Sequence, residues 1–349
     1  MRIAIVHDWI TNIAGDVRVL KALHEMYPNA PIYCLFHNKQ FTDALLPKAS
    51  IRPSFLQTFP RQKWLLPLYP LAIESFDLSE FDLVISTGSN FAKGVVAKPK
   101  TRHINYCNSP TRQVWDLSNE YRRKIFQHFF RFWDRHASTR VDEYVAISEH
   151  VQHRIKKYYR KNSTVIYPPV QITNYKLPIT NELSIKNYYL IVSRLYKHKN
   201  IDIAVKAFNN LGWNLVIIGD GPERKNLERM AGAHITFMGS VSDETCSNMY
   251  NACEAFIMPQ EEDFGIAPIE AMLHGKPVLA LRKGGALEYV QEGINGLFFN
   301  YAIPQALADG VRRISELRFE SERIKQSIEK FTWNTFQSSF SSIITPTAR

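Results

Sequence analysis

Residues 262–270 read Glu262-Asp263-Phe264-Gly265-Ile266-Ala267-Pro268-Ile269-Glu270, two glutamates around a short apolar–glycine segment. Pro268 suits the first turn of a helix, where its missing N–H is no loss, and Gly275 suits the position just past the end. That places Glu262 in a loop and Glu270 in the first helical turn, beside backbone N–H groups with no partner inside the helix. Those N–H groups and the positive helix end suit phosphate. Carboxylates flanking an anion site suit a ligand that carries hydroxyls as well as phosphate, and a nucleotide sugar carries both. An ordinary surface helix with a solvated Glu270 is the plainer alternative.

Outward from this segment the chain alternates strand and helix patterns. Ile3-Ala4-Ile5-Val6 is a short apolar run of buried-strand type, followed by His7-Asp8-Trp9. A loop with Gly15 then leads into residues 17–27, where Leu20, Leu23 and Tyr27 recur at helical spacing. Strand, glycine loop, helix is the opening of a doubly wound domain. Further strands are predicted at 83–86, 103–106 and 144–147, with Ser148 capping the next helix. Pro168-Pro169 stops this run, and 171–187 reads as a linker. A second set of strands follows at 188–193, 215–219, 235–238, 255–258 and 278–280. The expectation is an α/β protein of two Rossmann-like, doubly wound parallel-sheet domains facing across a cleft, 1–170 and 188–330. Apolar residues at 331, 333, 336, 340 and 343–344 then mark a last helix over 331–345.

The glutamate segment, with Glu270-Ala271-Met272, Gly275-Lys276-Pro277-Val278, Gly284-Gly285-Ala286-Leu287-Glu288 and Glu292-Gly293-x-Asn295-Gly296, resembles the donor-site signature of glycosyltransferase family 4. Members are retaining enzymes of the GT-B fold, and bacterial O-antigen and polysaccharide mannosyltransferases are the relatives most resembled. The resemblance implies transfer of a hexose from a nucleotide-diphosphate donor to a glycan or lipid-linked acceptor, with mannose from GDP-mannose favoured and a UDP-sugar as the alternative. It also implies that the last helix crosses back to the first domain, which takes the acceptor.

Ser193-Arg194-Leu195-x-x-x-Lys199 follows the first strand of the second half. In the family an arginine and a lysine at this spacing hold the donor diphosphate, and two cations suit charge that grows as the sugar–phosphate bond breaks. Arginine grips phosphate as a fork, lysine as a point charge. A solvated basic loop is the plainer alternative. The resemblance further assigns donor-sugar hydroxyls to Glu262, the ribose to Glu270, backbone N–H contacts to Phe264, Gly265 and Ile266, and the base to the backbone near Val241. Gly219-Asp220-Gly221-Pro222 is explained as a turn. Such sites need no metal or other cofactor; the chain has no Asp-x-Asp, the usual seat of a hard cation, and no motif for a pyridoxal-phosphate lysine.

The first half departs from the family. It keeps His7-Asp8-Trp9 but has Gly15-Asp16-Val17 where relatives have Gly-Gly-Glu, and Tyr106-Cys107-Asn108-Ser109-Pro110 where they have Tyr-x-His-Thr-Pro; Arg112 and Trp115 keep the pattern that follows. Asn108 can bond a sugar hydroxyl but cannot titrate as the family's catalytic histidine does. Asp16 beside a diphosphate would repel it, so either the loop tilts it towards the acceptor or the donor sits differently. A degenerate nucleotide-sugar-binding homologue is the rival reading.

Net charge is +10, and it is divided: residues 1–170 hold 24 Lys+Arg against 14 Asp+Glu, and 171–349 hold 19 of each. The first half is thus expected to meet an anionic partner, a phosphorylated acceptor or anionic lipid surface; no nucleic-acid-binding motif is present. Within residues 121–135, apolar positions 125/126, 129/130 and 132/133 form one helical face flanked by Arg122, Arg123, Lys124, Arg131 and Arg135. That pattern fits a helix in a membrane interface or one packed on its own domain. Residues 154–161 read as a solvated basic face. No apolar stretch of the ~18–20 residues needed to span a bilayer occurs. No signal-peptide core opens the chain, and the four cysteines lack metal or C-x-x-C spacing. The expected location is the cytoplasm, peripheral to the inner face of a membrane.

Overall fold

A computed structural model describes residues 1–11, 15–59, 62–116, 124–170 and 185–344, with the side chains of 62–63 and 124–126 outside the description. The chain forms two compact units, Met1–Pro169 with Phe336–Arg349, and Val170–Thr335.

The first unit is built on a seven-stranded sheet of β1 (Ile3–His7), β2 (Ile32–Cys34), β3 (Ile51–Pro53), β4 (Leu83–Gly88), β5 (Arg102–Cys107), β6 (Glu143–Ala146) and β7 (Ser163–Val165). Their spatial order is β3-β2-β1-β4-β5-β6-β7. Every pairing is parallel, with Ile3 to His7 beside Leu83 to Thr87 and Leu83 to Gly88 beside Arg102 to Cys107. Such strands are covered on both faces, which is why β1 and β4 read as unbroken apolar runs. One core cluster joins Ala4, Val6, Leu35, Val84, Phe91 and Phe130. Helix Trp333–Ile344 sets Phe336 and Phe340 against Tyr106, ring centroids 5.8 and 5.9 Å apart. Arg102 Nη2 donates to the Ile343 carbonyl at 2.9 Å near the end of that helix, a charge-assisted bond to carbonyls that have no helical partner.

The second unit holds β8 (Tyr188–Val192), β9 (Asn214–Ile218), β10 (Ile235–Gly239), β11 (Phe256–Met258), β12 (Val278–Leu281) and β13 (Gly296–Phe299). The order β10-β9-β8-β11-β12-β13 is again all parallel. Its core packs Ile191, Ile217, Ile257 and Leu279 against Phe208 and Leu307 of the helices Ile201–Leu211 and Pro304–Glu316. In both sheets the order reverses next to the first strand, at β1/β4 and at β8/β11. Open parallel sheets take ligands at the carboxyl ends of strands at such a reversal.

Candidate functional site

In the second unit, β8 runs out into Ser193–Lys199 and β11 into Pro259–Glu262. The two loops meet through a buried ion pair. Lys199 Nζ donates to Glu262 Oε1 at 2.5 Å, and Gln260 Nε2 donates to the same oxygen at 2.9 Å. Local chain geometry turns Lys199 inward: residues Lys197–Lys199 form a 3₁₀ turn closed by its N–H on the Tyr196 carbonyl. Asn200 then takes φ 53°, and its side chain donates to the Pro259 carbonyl at 3.3 Å. The ammonium has three N–H groups and spends one on Glu262. Arg194 is exposed on the same loop, its guanidinium 5.6 Å from the Tyr196 ring centroid. Sequence reasoning missed Gln260, which is buried with Oε1 unpartnered; a lone glutamine two residues before Glu262 carries no pattern to flag it.

Glycines let these loops close. A Cβ on Gly219 would lie 2.0 Å from the Ser193 carbonyl oxygen, and one on Gly221 would lie 2.4 Å from that of Leu195. This segment, taken above as a turn alone, lies against the strand-to-loop passage that carries Arg194. Gly285 donates its N–H to the Glu262 carbonyl at 2.9 Å, holding the Glu262 backbone from the far side.

Gly265, at φ 98°, caps the helix Ile266–Leu273. Phe264 before it is buried against Tyr289 and Phe331, so it anchors the turn with its ring. The N–H groups of Ile266 and Ala267, in the first turn, have no partner within the helix. Burial drives the Tyr289 phenol well above its ordinary pKa, with the Glu262 and Glu288 charges adding to it.

The helix begins two residues before Pro268, because proline is tolerated throughout a first turn whose N–H groups are unpaired anyway. Glu270 therefore lies in the second turn, away from those N–H groups, and its carboxylate accepts from Tyr250 Oη at 3.1 Å. The helix end matches expectation: at φ 70°, Gly275 donates to the Met272 carbonyl, and Lys276 to that of Ala271. Val241 is half-buried in the loop after β10.

In the first unit the reversal lies between β1 and β4. His7 ends β1 and is fully buried; its Nδ1 lies 2.9 Å from the Thr87 carbonyl oxygen. A carbonyl only accepts, so Nδ1 carries the hydrogen that meets it. Asp8 accepts backbone N–H groups from Ser89, Asn90, Phe91 and Ala92 at 2.6–2.9 Å. A Cβ on Gly88 would stand 2.5 Å from that carboxylate. His7 and Asp8 are thus neighbours with different work, and Asp8 fastens the loop after β4.

Gly15 and Asp16 open the helix Gly15–Met26 rather than preceding it. Asp16 Oδ1 accepts the Val17 N–H at 3.0 Å, and Oδ2 lies 3.9 Å from His7 Nε2. A carboxylate in the first turn is favoured by the helix dipole. Asn108 is buried just past β5, its N–H on the Gly88 carbonyl and both side-chain polar atoms unpartnered. Arg154, taken above as part of a solvated face, is buried: it donates to Ser109 Oγ at 2.7 Å, to the Pro110 carbonyl and to Asp116. It faces inward because the 109–116 loop supplies acceptors that sequence spacing does not reveal. Trp115 Nε1 and Thr111 Oγ1 donate to Asp134, which also pairs with buried Lys93 at 2.5 Å.

Helix Lys124–Ala137 does two things at once. Phe130 and Trp133 pack on Phe91, whereas Phe129 is 53% and Phe132 77% exposed. Residues 121–123, with Arg122 and Arg123, and the side chain of Lys124 lie outside the described residues. Among the described residues no group of three or more His, Cys, Asp or Glu could hold a metal ion, and no helix is long and apolar enough to cross a membrane.

Residues 16–174 match the family described as Glycosyltransferase Family 4, and residues 178–331 match Glycosyl transferases group 1. The chain belongs to glycosyltransferase family 4. This family 4 chain is 27% identical over 237 residues to the alpha-1,3/1,6-mannosyltransferase ALG2 of Candida glabrata, covering 53% of this chain and 52% of that protein. It is 34% identical over 110 residues to a GDP-mannose-dependent alpha-mannosyltransferase of Corynebacterium glutamicum, covering 31% and 26%. The chain spans little more than half the length of curated relatives it matches, 59% and 52% in two cases. The crystal structure of Anabaena Alr3699/HepE in complex with UDP shares its GT-B fold at TM-score 0.76 and 17% identity, over 99% of both chains.

Proposed function

We propose that this family 4 chain is a retaining hexosyltransferase acting from a nucleotide-diphosphate sugar, with GDP-mannose the donor and a glycan or lipid-linked saccharide the acceptor. The observation that carries this is the Lys199–Glu262 pair at the β8/β11 reversal, beside a glycine-capped helix start. Glu262, fixed by Lys199 and Gln260, orients donor-sugar hydroxyls. Arg194 and Lys199 stabilise the departing diphosphate. Gly265 and Ile266 offer N–H groups to phosphate and sugar, Glu270 takes the ribose, and the Val241 backbone meets the base. The sugar–phosphate bond breaks as the acceptor oxygen bonds the anomeric carbon on the same face, and its proton passes to the leaving phosphate. No metal or other cofactor takes part.

The mannosyltransferase relatives support mannose; the UDP held by the Anabaena protein supports a UDP-sugar as the second reading. A catalytically degenerate binder is the third, motivated by Asn108 and Asp16. The surplus charge of the first half and exposed Trp64, Leu71, Phe129 and Phe132 support peripheral contact with an anionic membrane on its cytoplasmic side. A thermal-shift screen of GDP, UDP, ADP and their hexose conjugates tests the donor: stabilisation by GDP and GDP-mannose above the others is expected. No stabilisation by any nucleotide would overturn the reading.

A further inference from the structure

Glu270 lies in the second turn of helix Ile266–Leu273, away from the N–H groups of the helix start, which therefore do not hold its carboxylate. It is half-buried, and a glutamate so placed keeps several rotamers open. Its direction comes from a neighbouring element. Tyr250, on helix Asp243–Ala252, sets its Oη 3.1 Å from Glu270 Oε2. An ionised carboxylate only accepts, so the phenol supplies the hydrogen.

Tyr250 is itself locked. It is 3% exposed, its ring stacks on that of His274 at 5.5 Å and 15°, and the ring of Phe256 on β11 lies 6.0 Å away. His274, just past the Glu270 helix, is tied back to helix Asp243–Ala252 through Nδ1, 2.8 Å from Asn251 Oδ1. Burial, with the Lys276 and Lys325 charges adding to it, lowers the His274 pKa, so at pH 7 the stack joins two neutral rings. One helix thus grips the other at Glu270 and again a turn beyond it. A buried phenol needs a partner, and a backbone carbonyl would serve. Tyr250 spends its O–H on a carboxylate instead, and a charge-assisted bond fixes direction as well as adding energy.

We propose that Tyr250 is a positioning residue for the nucleotide: by holding Glu270 Oε2 it turns the carboxylate to the ribose hydroxyls and gives the site its preference for ribonucleotide over deoxyribonucleotide donors. This rests on the donor reading, in which Glu270 takes the ribose. A contact made equally with bound donor and transition state changes affinity and not the rate at saturation. Tyr250 therefore acts on Kd and KM and leaves kcat in place.

The full chain and Tyr250→Phe are titrated calorimetrically with GDP, UDP and their 2′,3′-dideoxy forms. Phenylalanine keeps the ring and its stacking and removes only the O–H. Tyr250→Phe is expected to weaken ribonucleotide binding about threefold to tenfold, the scale of one net hydrogen bond, and to leave binding of the dideoxy forms unchanged. In a Glu270→Ala background the same substitution is expected to change nothing, because the group it acts through is gone. Urea midpoints of each protein accompany the titrations. Equal loss for ribo and dideoxy forms, a loss that persists in Glu270→Ala, or unchanged ribonucleotide affinity in Tyr250→Phe would overturn the role and leave Tyr250 a packing residue. A fall in kcat with KM unchanged would do the same. Wild type that binds none of these nucleotides sinks the donor reading and this role with it, whereas nucleotide binding without the ribose discrimination sinks the role of Tyr250 alone.

Discussion

Lys199 Nζ and Glu262 Oε1 stand 2.5 Å apart, with side chains only 8% and 20% exposed. With the donor role proposed for both residues, a pair so placed would couple the stability of the second unit to its chemistry. Removing one partner strands the other charge, at a cost near the lower end of the about 3–5 kcal/mol seen for buried pairs, since Glu262 keeps some solvent contact. Lys199→Met is therefore expected to lower the urea midpoint, and the double variant Lys199→Met/Glu262→Gln to recover most of it. Neither is expected to transfer sugar. A double variant as unstable as the single one would show that the pair is not the source of the loss.

Arg194 offers the complementary case. It is exposed, so Arg194→Ala is expected to leave the urea midpoint unchanged. Turnover should fall about a hundredfold or more, the scale of one lost transition-state charge contact. Glu262→Gln should keep nucleotide affinity and lose transfer. Near-normal turnover in both would remove the donor assignment, and a rate that collapses in EDTA and returns with magnesium or manganese would remove the metal-free mechanism.

Gly265 and Gly293 separate backbone strain from crowding. Both have positive φ, 98° and 76°, but a Cβ at 265 would stand 2.8 Å from Tyr289 Oη while one at 293 meets nothing within 4 Å. Gly293→Ala should destabilise by about 1 kcal/mol, the low end of the range for such backbone strain. Gly265→Ala should cost more and also weaken nucleotide binding, because it shifts the helix start. Thermal unfolding and GDP or UDP titration of both variants check this.

The strands that carry these loops were legible because they are buried on both faces and read as apolar runs; β1, β4, β8 and β9 are of this kind. The strands not foreseen are β2, β3, β7 and β13. Three have three residues each, too few for a period, and β13 opens on Gly296, which reads as a loop residue. Glu262 and Lys199 are named by the resemblance alone, and their contact was not legible, because it depends on two loops meeting from different strands. Glu270 was placed a turn too early since Pro268 marks a first turn without saying which position in it. Arg154 and Gln260 were invisible for the same reason as Asp8: their partners are backbone or side-chain groups brought close only by the fold.

His103 gives the first unit an acid limit. It is fully buried on β5, with Nε2 2.7 Å from Ser86 Oγ. Burial pushes its pKa down to about 4, against an opposing pull from Asp142. The unfolded ring titrates near 6.5, so between these values the unfolded chain binds the extra proton. Stability from this group is full above about pH 6.5 and is lost as pH falls towards 4, by up to about 3 kcal/mol. His103→Asn should be less stable than wild type at pH 7.5 and lose less between pH 7 and 5. Parallel urea midpoints across that range would show that another group sets the limit.

Asn108 lets stability and function be set against each other. Its buried amide has no partner for Oδ1 or Nδ2, so the folded chain bears a desolvation cost of about 1–3 kcal/mol that a turn residue has no reason to carry. Asn108→Ala removes that amide and with it the desolvation cost. The variant is expected to be as stable as wild type or more so, and to lose transfer. In the proposed mechanism the leaving phosphate, and no side-chain base, takes the acceptor's proton, so Asn108→His should keep nucleotide binding and alter the rate modestly. Unfolding midpoints and initial rates on the three proteins decide between the roles. Unchanged rates in Asn108→Ala would make the residue a turn former before Pro110, and transfer that exists only in Asn108→His would make the natural chain a binder.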